Sequence, residues 1–127
     1  MVQACSDSNV QRYEAQARSQ ADKLVNHIHD SDAMKYFNNK YFPREEWDYI
    51  ASTLQNFHRN CDTVGRVGKL VGTAYEKKMG GASFVVYSYD YRYNCEKVRY
   101  VLRYVFEEDT FLLSNLKILP IRGNLLP

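Results

Sequence analysis

The spacing of apolar residues along this chain changes once, near Cys61, and that change limits the folds available to it. Before Cys61 apolar residues recur every three or four positions, which is the repeat of an α-helix with one buried face. After Cys61 they recur every second position, which is the repeat of a β-strand. The sequence therefore predicts helices first and strands afterwards, the segregated order of an α+β domain.

Three helices are predicted in the first half of the chain, at residues 9–30, at residues 33–37 and from Pro43 onward. Proline is tolerated in a first helical turn, and the carboxylates of Glu45 and Glu46 suit the positive end of the helix dipole. The first and third helices each carry an apolar stripe. These stripes are Val10, Tyr13, Ala17, Ala21, Leu24, Val25 and Ile28 in the first helix, and Trp47, Ile50, Leu54 and Phe57 in the third.

Four strands are predicted in the second half, at residues 66–75, 83–93, 97–106 and 111–119. Short polar turns between them favour an antiparallel meander rather than crossovers through helices. We therefore expect N-terminal helices packed on one face of a four-stranded antiparallel sheet. Because 127 residues can bury one core, residues 10–127 are predicted to form a single domain behind a tether of residues 1–9.

Several local patterns resemble the nuclear-transport-factor-two-like, or cystatin-like, superfamily, and within it small bacterial secreted or lipoprotein domains of unknown function. They are Phe42, Glu46-Trp47, Gly65-Arg66-Val67 and the Tyr-rich strand at residues 84–89. The resemblance implies a curved sheet wrapped around helices, with a conical cavity that some relatives use for ligands or catalysis. A fold of this kind does not by itself assign an activity.

The three cysteines bear on the compartment in which the protein acts. Val2-Gln3-Ala4-Cys5 is similar to the end of a bacterial lipoprotein signal, in which the cysteine receives lipid. The alternative is that Met1 is the natural start and Cys5 an ordinary thiol. With Cys5 assigned to lipid, Cys61 and Cys95 remain as one pair, which an oxidising periplasm would allow to form a disulfide. Two unpaired thiols in a cytosolic protein are the alternative to that bond.

Tyrosine is unusually frequent, with 11 residues against six Phe and one Trp. Each tyrosine brings a large apolar area and one hydroxyl, so a row of them suits either a binding face or a core whose rim is wet. The candidate ligand- or partner-binding residues share one predicted sheet face. They are Tyr87, Tyr89, Tyr91, Tyr100 and Tyr104.

The opposite sheet face is predicted to be basic, through Arg92, Lys97, Arg99 and Arg103. Such a stripe could contact an anionic surface, and a solvated outer face is the alternative. Nucleic acid is not favoured, because the sequence pI is only about 8.4 and no aromatic-basic motif of an RNA-binding sheet is present.

Catalytic and metal chemistry have little support in the sequence. His27 and His29 are two residues apart, so they do not form the i, i+4 pair that chelates a metal on a helix, and a solvated helix end is expected for both. Asp90 is the one carboxylate inside a strand, and it is out of phase with the tyrosines. If the tyrosines line the cavity, Asp90 faces out beside Arg92; in the reversed phase it would lie inside with Phe84 and Val86.

These observations predict a non-enzymatic periplasmic lipoprotein, anchored to the membrane through lipid on Cys5, with no cofactor and no metal. It would bind a protein or a small ligand through its tyrosine face, and a homodimer is an open alternative. Two other functions stay open: a cone-fold enzyme of the isomerase type that uses Asp90, and a scaffold subunit of a secretion or envelope assembly.

Overall fold

The computed structural model describes residues 8–30, 32–37, 42–60, 68–77, 82–93, 97–107 and 109–121, without the side chains of residues 8, 9 and 57–60. Its elements, in chain order, are α1 (Ser8–Asn26), a 3₁₀ turn (Ala33–Tyr36), α2 (Arg44–Asn60), β1 (Lys69–Lys77), β2 (Ser83–Arg92), β3 (Lys97–Phe106) and β4 (Phe111–Pro120). The predicted α+β class, with N-terminal helices and a four-stranded antiparallel sheet, is confirmed. The curvature of that sheet stays a prediction. The tether predicted at residues 1–9 falls mostly outside the described residues, and α1 begins at Ser8.

Helix α1 ends at Asn26, earlier than the predicted end near Asp30. The His27 N–H is shared between the carbonyls of Lys23 at 3.0 Å and Leu24 at 3.2 Å, which tightens the last turn. Ile28 nevertheless stays buried beyond the helix end. The apolar stripe therefore continues past the helix, which is why its spacing overestimated the helix length.

Helix α2 begins where the sequence places it. The Pro43 carbonyl accepts hydrogen bonds from the N–H groups of Glu46 at 3.1 Å and Trp47 at 3.2 Å. Its apolar stripe of Trp47, Ile50 and Leu54 is buried. The second predicted helix is a single 3₁₀ turn, and Phe37 directly after it lies 5.6 Å from the Trp47 ring, measured between ring centroids.

The sheet is an antiparallel meander with strand order β1-β2-β3-β4. The central pair, β2 and β3, aligns Tyr87 with Leu102 and Tyr89 with Tyr100. Two irregularities interrupt the ladders, one in β1 between Leu70 and Gly72 and one where Arg103 and Tyr104 face β4. The meander predicted from the short turns is the observed topology.

Helix α1 packs on one face of the sheet, mainly over β2 and β3, and forms the core with it. Alternate residues of the two central strands point into this core, as the two-residue repeat predicts. The buried residues on this sheet face are Val85, Tyr87, Tyr89, Tyr91, Val98, Tyr100, Leu102, Tyr104 and Phe106.

Strand β1 differs from the others because almost all of it is exposed on both faces. Val71 is 43% exposed and Tyr75 is 46% exposed. The strand runs over Lys69–Lys77 rather than the predicted 66–75, of which residues 66 and 67 lie outside the described residues. Directly before the strand, the Gly68 N–H donates to Asn26 Oδ1 of α1 at 2.7 Å.

Gly68 gives the first testable prediction, because a methyl group there would overlap Val25, whereas Gly72 has nothing within 4 Å of the same position. We expect Gly68→Ala to lower the free energy of unfolding by about 1–3 kcal/mol through overpacking. The matched variant Gly72→Ala should change it by less than about 1 kcal/mol. Urea unfolding followed by circular dichroism measures both.

A double variant identifies the cause of that loss. Gly68→Ala combined with Val25→Ala should lose less than the sum of the two single variants, since the smaller residue makes room for the added methyl group. Strict additivity would contradict the packing explanation.

Candidate functional site

The five tyrosines predicted to bind a ligand lie between the sheet and α1. Tyr87, Tyr89, Tyr100 and Tyr104 are fully buried, and Tyr91 is 2% exposed. A ligand could reach their rings only if α1 left the sheet. Their role in binding stays a prediction, and the same residues form the main contact between the two layers of the fold.

Carboxylates on α1 accept hydrogen bonds from the tyrosines at the edge of this contact. Tyr87 donates to Glu14 Oε2 at 3.4 Å, and Tyr75 donates to Glu14 Oε1 at 3.2 Å. Tyr89 donates to Asp22 Oδ1, two helical turns further along α1. Each ring is therefore packed as an apolar group while its hydroxyl stays paired.

A second polar network lies at the other end of the tyrosine face. His29 Nε2 is 2.6 Å from the Tyr93 hydroxyl, which is 2.6 Å from the fully buried hydroxyl of Tyr100. The expectation of a solvated helix end is wrong for His29, which is half-buried with its ring edge-on to Tyr91 and Tyr93. No local pattern could reveal this contact, because His29 and Tyr93 are 64 residues apart.

Burial further disfavours the ionisation of these hydroxyls. Loss of solvation is the main cause that raises the pKa of Tyr93, Tyr100 and Tyr104 far above the ordinary tyrosine value. All three are neutral at physiological pH and act as hydroxyl groups. Within the described part of the chain, the Tyr104 hydroxyl has no hydrogen-bond partner.

The outer face of the sheet carries the four predicted basic residues, and acidic neighbours offset two of them. Arg99 makes a two-point contact with Asp90, at 2.7 Å from Nε and 3.2 Å from Nη2. Arg103 bonds Glu76 at 3.1 Å and lies 4.0 Å above the ring centre of Phe84.

The two remaining basic residues, Arg92 and Lys97, are exposed and directly opposite each other in the ladder. Their two positive charges therefore lie together at one end of the sheet. A role for that charge in binding stays a prediction.

Asp90 lies on the face opposite the tyrosines, as its strand phase predicts, although its partner is Arg99 rather than Arg92. The pair is half-exposed, with 27% of the Asp90 side chain and 41% of the Arg99 side chain accessible. The Asp90 carboxylate is thus held in an ion pair that solvent reaches. It lacks the apolar surroundings that an acid or base of the isomerase type would need.

A groove that the sequence did not indicate lies between α2 and β4, with a volume of about 530 Å³. Phe42 and one side of α2 form the first wall, through Glu45, Glu46, Tyr49, Ile50 and Thr53. Five successive residues of β4 form the second wall, namely Asn115, Leu116, Lys117, Ile118 and Leu119. Its size falls within the range of small-molecule and peptide sites.

The groove is apolar at its base and charged at its rim. Phe42, Ile50 and Leu116 are buried, whereas Tyr49 is 76% exposed and Leu119 is 45% exposed. Exposed carboxylates of Glu45 and Glu46 lie on the helix wall. Lys117 supplies the one cation among the described lining residues, from the strand wall.

Comparisons of the chain with protein-family models, with curated proteins and with solved structures find no match. The superfamily resemblance therefore stays a prediction. The geometry and chemistry of the residues themselves are therefore the basis for a functional proposal.

Three further observations bear on the predicted sites. Neither helix in the described part of the chain is both long enough and apolar enough to cross a membrane. The described residues contain no group of three or more His, Cys, Asp or Glu side chains arranged to hold a metal ion. Cys5, Cys61 and Cys95 lie outside the described residues, so the lipid site and the disulfide stay predictions.

The tyrosine network gives the second testable prediction, from two substitutions in one strand. Tyr100→Phe removes the bond to Tyr93 and should lower the free energy of unfolding by about 1 kcal/mol. Tyr104→Phe removes a buried hydroxyl without a described partner, so it should leave that free energy unchanged or raise it by up to about 1 kcal/mol. Urea unfolding measures both, and a larger loss for Tyr104→Phe than for Tyr100→Phe would contradict this assignment.

Proposed function

We propose that this chain is a non-enzymatic binding module of the bacterial envelope and that its ligand site is the groove between α2 and β4. The observation that carries the proposal is the combination of a buried apolar base with exposed aromatic, aliphatic and acidic groups around the rim. Concave sites with a mainly apolar lining and a few charged groups are typical of ligand binding.

Accessibility favours the groove over the tyrosine face as the binding site. The rings of the five candidate tyrosines are covered by α1, and two of their hydroxyls are paired with its carboxylates. Binding there would require those contacts to break. The groove, by contrast, presents Tyr49 and Leu119 to solvent without any rearrangement.

The isomerase alternative has less support, because its one candidate residue, Asp90, is held in an ion pair on the outer face. The scaffold alternative is compatible with the same groove, since a subunit of an assembly also needs a surface that accepts a partner.

The groove is tested by blocking it. Thr53 is half-buried in its wall, whereas the neighbouring Ser52 is exposed and lies outside it. We expect phenethylamine, an aromatic cation, to shift the backbone amide signals of Asn115 to Leu119 in an NMR titration. Thr53→Arg should abolish these shifts because its long side chain fills the groove, and Ser52→Arg should retain them.

The same titration with 3-phenylpropionate serves as the charge control and should give smaller shifts, since Glu45 and Glu46 repel its carboxylate. Shifts in the Thr53→Arg variant as large as those in the unmodified protein would place the binding site elsewhere. Shifts confined to the contact between α1 and the sheet would do the same.

The compartment is a separate part of the proposal and is supported by the Val2-Gln3-Ala4-Cys5 sequence alone. We expect the protein, expressed in a bacterium from the natural start of the full-length gene, to incorporate an alkyne-labelled fatty acid and to sediment with the membrane fraction. Cys5→Ser should abolish both, whereas Cys61→Ser should retain the label. An unlabelled wild-type protein in the cytosolic fraction would overturn the lipoprotein assignment.

A further inference from the structure

We infer that the α2–β4 groove takes an extended peptide, which adds as a strand to the free edge of β4 and places a cationic side chain against Glu45 and Glu46. This inference rests on the proposed function, because it specifies the ligand class of that same groove. The partner is a segment of another protein with alternating inward and outward side chains.

The position of the groove along the strand edge is the first argument. Leu116 is paired with Leu102 and points to the core face, whereas Lys117 is paired with Val101 and points to the outer face. Residues whose side chains point to opposite faces of β4 both line the groove. Because residues from both faces of β4 bound this space, the space runs along the edge of the strand.

The backbone at that edge is the second argument. Strand β4 pairs with β3 alone in the described sheet, so alternate N–H and C=O groups point away from it. Among the described residues, no backbone hydrogen bond from Asn115 to Leu119 goes outside that ladder. An added strand would satisfy these groups, which is the usual source of affinity in strand addition.

The shape of the groove is the third argument. Five consecutive strand residues span about 13 Å, enough to align with an extended segment of about five residues. Ile50 on the helix wall and Leu116 on the strand wall offer apolar contacts to side chains that point inward. Strand β1 is also an edge, but nearly all of its residues are exposed, so it offers no comparable apolar wall within the described part of the chain.

Charge defines which side chains fit. The helix wall carries the carboxylates of Glu45 and Glu46, so an inward side chain near them is expected to be Lys or Arg. Lys117 lies on the outer face, where it would meet the alternate side chains of the same peptide. The favoured segment therefore has apolar and cationic residues inward and an acidic residue outward.

The test uses the synthetic peptide acetyl-Val-Thr-Lys-Glu-Val-amide and the complete chain, in an NMR titration. We expect shifts of the Asn115 to Leu119 amides and slower hydrogen exchange along the β4 edge. Two N-methylated versions are then compared, one methylated at the odd and one at the even positions. In a bound strand only alternate N–H groups point toward the neighbouring strand β4. The version methylated at those positions should bind at least tenfold more weakly than the parent peptide, and the other version should bind within about twofold of the parent.

Charge is tested by a second pair of molecules. Replacing the peptide lysine with norleucine should weaken binding about two- to fivefold, the size expected for an exposed ion pair. The same replacement should have no effect on the double variant Glu45→Gln and Glu46→Gln. An equal loss of affinity for the unmodified protein and for the double variant would overturn the assignment of the cation to these carboxylates.

The remaining outcomes separate this inference from the proposed function. If both N-methylated peptides bind like the parent, the groove binds ligands but strand addition is wrong. If phenethylamine binds in the groove and the peptide does not, the inferred ligand class is wrong and the proposed function stands. If neither binds, both fail. If sedimentation shows a dimer that Thr53→Arg breaks and the peptide does not displace, the occupant is a second copy of the chain and the inference is overturned.

Discussion

The structure depends on burying a row of tyrosine rings while pairing the hydroxyls of Tyr87, Tyr89 and Tyr100. Rings of this size supply much of the apolar area that holds α1 against the sheet, but a buried hydroxyl without a partner costs about 1–3 kcal/mol. Glu14, Asp22 and His29 reduce that cost at three points along the contact. The helix therefore needs apolar residues facing the sheet and acidic residues at the border of that stripe, and α1 has both.

The strict alternation of β2 and β3 has consequences on both sides of the sheet. Inward residues make the tyrosine contact, and outward residues form a half-exposed surface on which Arg99 and Arg103 are paired with Asp90 and Glu76. A slip of one residue in the register would exchange these two sets. The charged pairs across strands and the aromatic pairs beneath them therefore favour the same alignment.

Much of this fold could be predicted from local spacing, because helical stripes and strand alternation are properties of neighbouring residues. The spacing placed Trp47, Ile50 and Leu54 on one buried helix face and Asp90 opposite the tyrosines, and the structure agrees. It misplaced the end of α1, because Ile28 remains in the core after the helical hydrogen bonds have changed.

The parts that could not be predicted depend on contacts between distant segments. His29 meets Tyr93 only because the turn after α1 lies over the end of β2. The groove exists only because α2 stands beside an edge strand that follows it by some fifty residues. Neither α2 nor β4 carries a sequence signal of the space between them, since their apolar residues are those expected of any packed helix and strand.

The direction of α1 has a consequence for how the domain would be presented at a surface. Tyr13, early in α1, packs against Phe111 at the start of β4, with ring centroids 6.1 Å apart. From that end α1 extends about 28 Å, and β4 runs about 20 Å to Lys117. For a chain held to a surface by the residues before α1, the Tyr13–Phe111 contact is the part of β4 nearer to the start of α1. The groove residues begin about 13 Å further along β4, so a partner bound there would be set back from that contact.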